Sequence, residues 1–107
     1  MVQSNEKTSG LIIGKFLPPH RGHKYLIDFA RNYVDRLTVL VCSTNAEPIS
    51  GELRYQWMKQ EFPDVNVIHV ADENPQEPKG DGDRQFWQAW HDSIFRAVPA
   101  GADYLFA

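Results

Sequence analysis

Two histidines, His20 and His23, stand three residues apart, and the residues around them are of the kinds that handle phosphate. The segment reads Gly14-Lys15-Phe16-Leu17-Pro18-Pro19-His20-Arg21-Gly22-His23. Gly14 lets the backbone turn sharply. The prolines stiffen that turn, and Gly22 lets a ligand approach the main chain. If a helix opens here, its first N–H groups point outward and attract an anion. Both imidazoles can then face one phosphate chain.

Other chemistry finds less support. A His-x-x-His pair can also bind a metal weakly or cap a helix. No third ligand stands nearby in sequence, because His69 and His91 lie far along the chain and are expected at the surface or in the core. No protein-held metal is therefore predicted. The single cysteine, Cys42, excludes an internal disulfide and a four-cysteine zinc site. Neither Cys42 nor Ser43 has a base beside it in sequence, so a covalent nucleophile is not expected.

The elements that position the segment can be read from apolar spacing. Residues 1–9 read as a polar, disordered tail. Leu11, Ile12 and Ile13 make a short buried strand that stops at Gly14. A helix follows from about Gly22, with Leu26, Ile27, Ala30, Tyr33 and Val34 on one face. Leu37–Cys42 is a second buried strand. Ser50 caps a second helix lined by Leu53, Trp57, Met58 and Phe62 and ended by Pro63. Val65, Val67, Ile68 and Val70 form a third strand. Ala71–Gly82, rich in proline, glycine and acidic residues, reads as a mobile loop. Asp83 caps a third helix with Trp87, Trp90, Ile94, Ala97 and Val98 on its face, and Tyr104–Phe106 opens a fourth strand. Alternating buried strands and helices predict an α/β architecture: a parallel sheet with helices on both faces. Such sheets bind ligands at the carboxyl ends of their strands, where the strand order reverses, and the histidine segment begins at such an end.

Composition limits the partners. The 107 residues carry a net charge of −3, with 11 Lys+Arg against 14 Asp+Glu. Without a basic excess or stripe, nucleic acid is not an expected partner. The apolar runs are too short to span a membrane, and the polar start lacks the features of a signal peptide. A cytoplasmic setting is expected.

The Gly14–His23 segment resembles the G-x-F-x-P-x-H-x-G-H signature of the HxGH nucleotidyltransferase superfamily. Glu52–Met58, Phe86–Trp90 and the opening Gly14-Lys15-Phe16 resemble the NadR-like nicotinamide-mononucleotide adenylyltransferases. The resemblance runs from Gly10 almost to the end. It implies a Rossmann-like three-layer α/β/α domain over residues 10–107 and adenylyl transfer from ATP to nicotinamide mononucleotide, with Mg²⁺ bound to the ATP.

Under the resemblance Gly14, Phe16, His20, Gly22 and His23 bind the ATP phosphates, and His20, His23 and Lys15 are catalytic. His23 would stabilise charge on the α-phosphate. Lys15 reaches the acceptor's phosphate or is simply solvated. Trp87, with Trp90 second, stacks on the pyridine ring or belongs to the core. Arg54 contacts a phosphate or covers its helix. Another phosphate acceptor, such as phosphopantetheine or one served by a cytidylyltransferase, remains an alternative, as does a nucleotide-sensing module without turnover. The superfamily's later I-S-x-T-x-x-R-like segment does not occur, so the domain is expected to be incomplete at its C-terminus. A homo-oligomer and a following kinase domain in a longer parent are compatible with this reading.

Overall fold

The computed structural model describes residues 8–80 and 82–107. Its elements run β1 (Ser9–Gly14), α1 (Arg21–Tyr33), β2 (Arg36–Cys42), α2 (Gly51–Glu61), β3 (Asn66–Val70), α3 (Arg84–Ala97) and β4 (Tyr104–Phe106). The four strands form one sheet in the order β3-β2-β1-β4, and every pairing is parallel. The order runs outward from β1 to β3 and then returns to the other side of β1. The reversal lies between β1 and β4, and the Gly14–His23 segment leaves β1 there.

Strand alternation divides the core into two layers. Ile12, Val39, Val41 and Val67 pack with Ile27, Ala30 and Val34 from the α1 region and Met58 and Phe62 from the α2 region. Leu11, Leu40, Cys42 and Val70 pack on the opposite face with Trp90, Ile94, Ala97 and Val98. Thus α1 and α2 cover one face and α3 the other, giving the expected three-layer Rossmann-like α/β/α fold. None of the described helices is long and apolar enough to cross a membrane.

Several local expectations change. Of the tail, residues 1–7 lie outside the described residues. Thr8 and Ser9 are fixed: Thr8 N–H donates to Asp35 Oδ2 at 2.9 Å, and Ser9 N–H donates to Asp103 Oδ2 at 2.8 Å. On α2 the inward residues are Arg54 and Met58, while Leu53 and Trp57 are 44% and 36% exposed. The helix is rotated so that an arginine, not the two apolar side chains, meets the sheet. On α1, Tyr33 faces outward.

Asp81 of the acidic loop lies outside the described residues. The loop's first part is tied to α3. Asp72 Oδ2 accepts from Ser93 Oγ at 2.5 Å and from Arg96 Nη1 at 2.8 Å. Asn74 Nδ2 donates to Ser93 Oγ at 2.7 Å, and Trp90 Nε1 donates to Pro75 O at 2.8 Å.

Candidate functional site

The segment after β1 is held by Phe16, whose φ is +54° and whose side chain is buried. A non-glycine residue in this region costs about 1–3 kcal/mol, so the surroundings must enforce it. The Phe16 ring meets the His23 ring edge to face, 4.6 Å between centroids. A Cβ at Gly14 would lie 3.1 Å from the same ring, so glycine there makes room for the anchor.

The two histidines cap α1 reciprocally. His20 is the N-cap, and its Nδ1 accepts from Gly22 N–H at 3.0 Å. His20 N–H donates to His23 Nδ1, also at 3.0 Å. The motif is a capping box in which imidazoles replace the usual hydroxyl and carboxylate. The rings stack with 3.7 Å between centroids. Each Nδ1 lone pair is already used, so the proton of each neutral ring resides on Nε2. The pair therefore offers two N–H donors at the positive end of a helix whose first turn has no acidic residue. Burial, and then the charge of His20, lowers the His23 pKa, which favours this neutral donor form. The helix-cap reading and the phosphate-binding reading are thus compatible, because the cap aims the rings.

Lys15, Glu47 and Arg54 form a second cluster, which sequence spacing does not reveal. Lys15 Nζ pairs with Glu47 Oε2. Arg54 Nη2 donates to Glu47 Oε1 at 2.7 Å and Arg54 Nη1 to Lys15 O at 2.7 Å. Arg54 Nε donates to Ile49 O and Ser50 O. Arg54 is completely buried, which corrects the reading that it covers the surface of its helix. Its guanidinium is occupied by loop carbonyls and Glu47, which leaves the phosphate reading without support here. Burial raises the Glu47 pKa, but hydrogen bonds from Lys15, Thr44 N–H and Arg54 outweigh it and bring the carboxyl to about 2. The neighbouring Cys42 thiol is pushed by burial up to about 11, which disfavours its thiolate.

The fold does bring a base to Ser43. Ser43 Oγ lies 2.7 Å from His69 Nε2, and His69 Nδ1 lies 3.7 Å from Glu52 Oε2. The arrangement does not support nucleophilic chemistry. Ser43 N–H is spent on Val70 O and Thr44 N–H on Glu47 Oε1, so neither can serve as an oxyanion donor. A Cβ at Gly51 would collide with Ser43 Oγ and His69 Nε2, so the first turn of α2 closes directly over the pair. It fastens β2, β3 and α2 together.

The two tryptophans separate. Trp87 is 58% exposed, its ring perpendicular to that of Phe86. Trp90 packs into the α3-side core. Beside the histidines runs a cleft of about 550 Å³, bordered by Pro18, His20, His23 and Lys24 on one side and by Trp57 and Glu61 on the other. Trp57 lines it because of the rotation of α2. Among the described residues no three carboxylate, thiol or imidazole groups gather as metal ligands.

Comparison with known proteins places this geometry in context. The cytidylyltransferase-like family model matches residues 11–104. The trifunctional NAD biosynthesis/regulator protein NadR of Escherichia coli is 31% identical over 104 residues, covering 83% of this chain and 24% of that protein. NadR of Salmonella typhimurium is 30% identical with the same coverage. The chain thus spans about a quarter of the length of these curated relatives. A NadR structure in complex with NAD and AMP-PNP superposes with a TM-score of 0.73 at 19% identity, over 91% of this chain and 28% of that one. A bifunctional NMN adenylyltransferase/ADP ribose pyrophosphatase from Francisella tularensis, complexed with AMP and a manganese ion, gives 0.63 at 17% identity over 94% and 32%.

Proposed function

The chain belongs to the cytidylyltransferase-like family, and from that premise we propose that it is the catalytic part of a cytoplasmic nucleotidyltransferase joining the adenylyl group of ATP to nicotinamide mononucleotide. The observation that carries the proposal is the reciprocal histidine cap. It presents two Nε2–H donors at the opening of α1, beside the strand-order reversal where such sheets bind ligands. The NadR relatives, named for NAD biosynthesis, support the choice of acceptor.

In this reaction the 5′-phosphate of the mononucleotide attacks the α-phosphorus of ATP in line. The bond to the β-phosphate oxygen breaks, leaving dinucleotide and pyrophosphate. The chain contributes positioning and charge stabilisation, with no covalent intermediate. His23 and His20 donate to the oxygens on which charge develops. Lys15 receives the acceptor phosphate. Trp87 offers an exposed indole face to the cationic pyridine ring, an attraction of ~0.5–2 kcal/mol. The histidines have no free lone pair at Nδ1 and present protons at Nε2, so they fit an ion that arrives on the triphosphate better than one held by the chain. Mg²⁺ carried there neutralises phosphate charge.

The test is direct. The chain, and a version carrying the residues that follow in its relatives, are incubated with ATP, Mg²⁺ and nicotinamide mononucleotide, and pyrophosphate and NAD are measured. Release of both supports the proposal. Use of phosphopantetheine instead of the mononucleotide would move the acceptor. Binding of ATP without turnover in the longer version would identify a nucleotide-sensing module.

A further inference from the structure

The Lys15–Glu47 pair lies where the chain leaves β1 for the histidine segment, and its two members are held very differently. Lys15 follows directly on the last residue of β1, and its side chain is 38% exposed. The Glu47 side chain is 11% exposed. One of its oxygens, Oε1, is fixed by Arg54 Nη2 at 2.7 Å and by Thr44 N–H at 3.0 Å. The other, Oε2, faces the ammonium. The carboxylate is therefore anchored in the protein, while the lysine reaches it from a partly open position. An arriving phosphate has the same charge sign and the same acceptor chemistry as Oε2, so it must compete with Oε2 for Lys15.

We infer that Glu47 is an internal competitor for the Lys15 ammonium, one that stands where a ligand phosphate would bind and sets the affinity for phosphorylated acceptors. The inference rests on the reading of Lys15 as the acceptor-phosphate residue. It accounts for a feature that pure scaffolding leaves unexplained. Arg54 already satisfies Oε1, yet a second oxygen of the same carboxylate is turned toward the exposed cation. When phosphate takes the lysine, Glu47 keeps its anchorage to Arg54 and Thr44, so the loop need not rearrange.

The substitution that isolates this effect is Glu47→Gln. The amide oxygen can still accept from Arg54 and Thr44 N–H, while the amide nitrogen replaces Oε2 and repels the ammonium. Nicotinamide mononucleotide and nicotinamide riboside, which lacks the phosphate, are titrated into the unaltered chain, E47Q and K15M. E47Q should bind the mononucleotide about 3- to 10-fold more tightly, the scale of one partly exposed ion pair, and should bind the riboside unchanged. Equal shifts for both ligands, or no gain for the mononucleotide, would overturn the inference. K15M should lose the preference for the phosphorylated ligand. If K15M weakens the mononucleotide and E47Q does nothing, the competitor role alone fails. If K15M retains full affinity, the reading of Lys15 fails and the competitor role with it. The unaltered chain gives an independent measurement that does not depend on how the variants fold. The ¹³C resonance of the Glu47 carboxyl should move on saturation with the mononucleotide and stay put with the riboside. A resonance unmoved by the mononucleotide overturns the inference.

Discussion

His20 and His23 are tied by one hydrogen bond and a ring stack: the His20 N–H donates to His23 Nδ1 at 3.0 Å while the rings lie 3.7 Å apart, and His20 Nδ1 accepts from Gly22 N–H. Under the proposal the arrangement has two jobs, fixing the start of α1 and leaving each Nε2 proton for a ligand. Substitutions can separate the jobs.

His20→Asn should leave the fold intact and disable the site. Asparagine is among the best N-cap residues, so the stability change should stay within about 0.5 kcal/mol. The outward Nε2 donor is lost. In a form that turns over, loss of one such donor should cost ~10²-fold in rate. Thermal melting beside a turnover assay checks both halves, and unchanged turnover would mean that His20 serves only as a cap.

Stability should fall as the solution is acidified below neutrality. The folded His23 pKa is depressed from the usual 6.5 by burial first and by His20 second. The unfolded chain therefore takes up the proton before the folded one does. Stability is fully present above 6.5 and is lost as the pH falls through the lower, folded value. Protonation at Nδ1 would also abolish the bond from His20 N–H. Glu47 adds a second loss between its ordinary 4.5 and about 2. Urea midpoints measured from pH 7.5 to 5 should decline, and His23→Gln should flatten much of that decline.

Arg54→Ala should be severely destabilising, by about 3–5 kcal/mol, because it takes the buried cation from Glu47 and leaves several loop carbonyls without their donor. Arg54→Lys should recover little of this, since an ammonium cannot span the same fork of acceptors. Chemical denaturation measures both variants. A stable Arg54→Ala with weakened phosphate binding would contradict its placement in the interior.

The two tryptophans of α3 should respond oppositely. Trp87→Ala should change stability by no more than about 0.5 kcal/mol, as expected for an exposed side chain, yet remove most of the fluorescence quenching by nicotinamide mononucleotide. Trp90→Ala should cost about 1–3 kcal/mol through the packing lost on the α3 side of the sheet. Quenching that survives Trp87→Ala would remove that indole from the acceptor site.

What could be read from the chain follows the range of the forces involved. The parallel α/β order, the Ser50 and Asp83 caps and the Gly14–His23 turn are written in residues a few positions apart. The Lys15–Glu47–Arg54 cluster joins positions 32 and 39 apart, and the Ser43–His69 pair spans 26. No local spacing encodes such meetings. Arg54 misleads for a related reason, since an arginine that will satisfy its donors on distant carbonyls looks the same in sequence as one bound for solvent. Leu53 and Trp57 then lose their apparent claim to the interior, because the inward positions of α2 belong to Arg54 and Met58.

The sheet order has a mechanical corollary. Among the described residues, strand β2 is flanked on both sides, whereas β4 is laced to β1 alone through three register pairs, Gly10 with Tyr104 to Ile12 with Phe106. A ribbon stitched along one margin by so few threads is the first to fray. Deuterium should therefore enter the amides of β4 long before those of β2, and a ligand that tucks in where β4 meets β1 should slow that entry. The seam at which the proposal seats the ligand would then be the one the ligand sews shut.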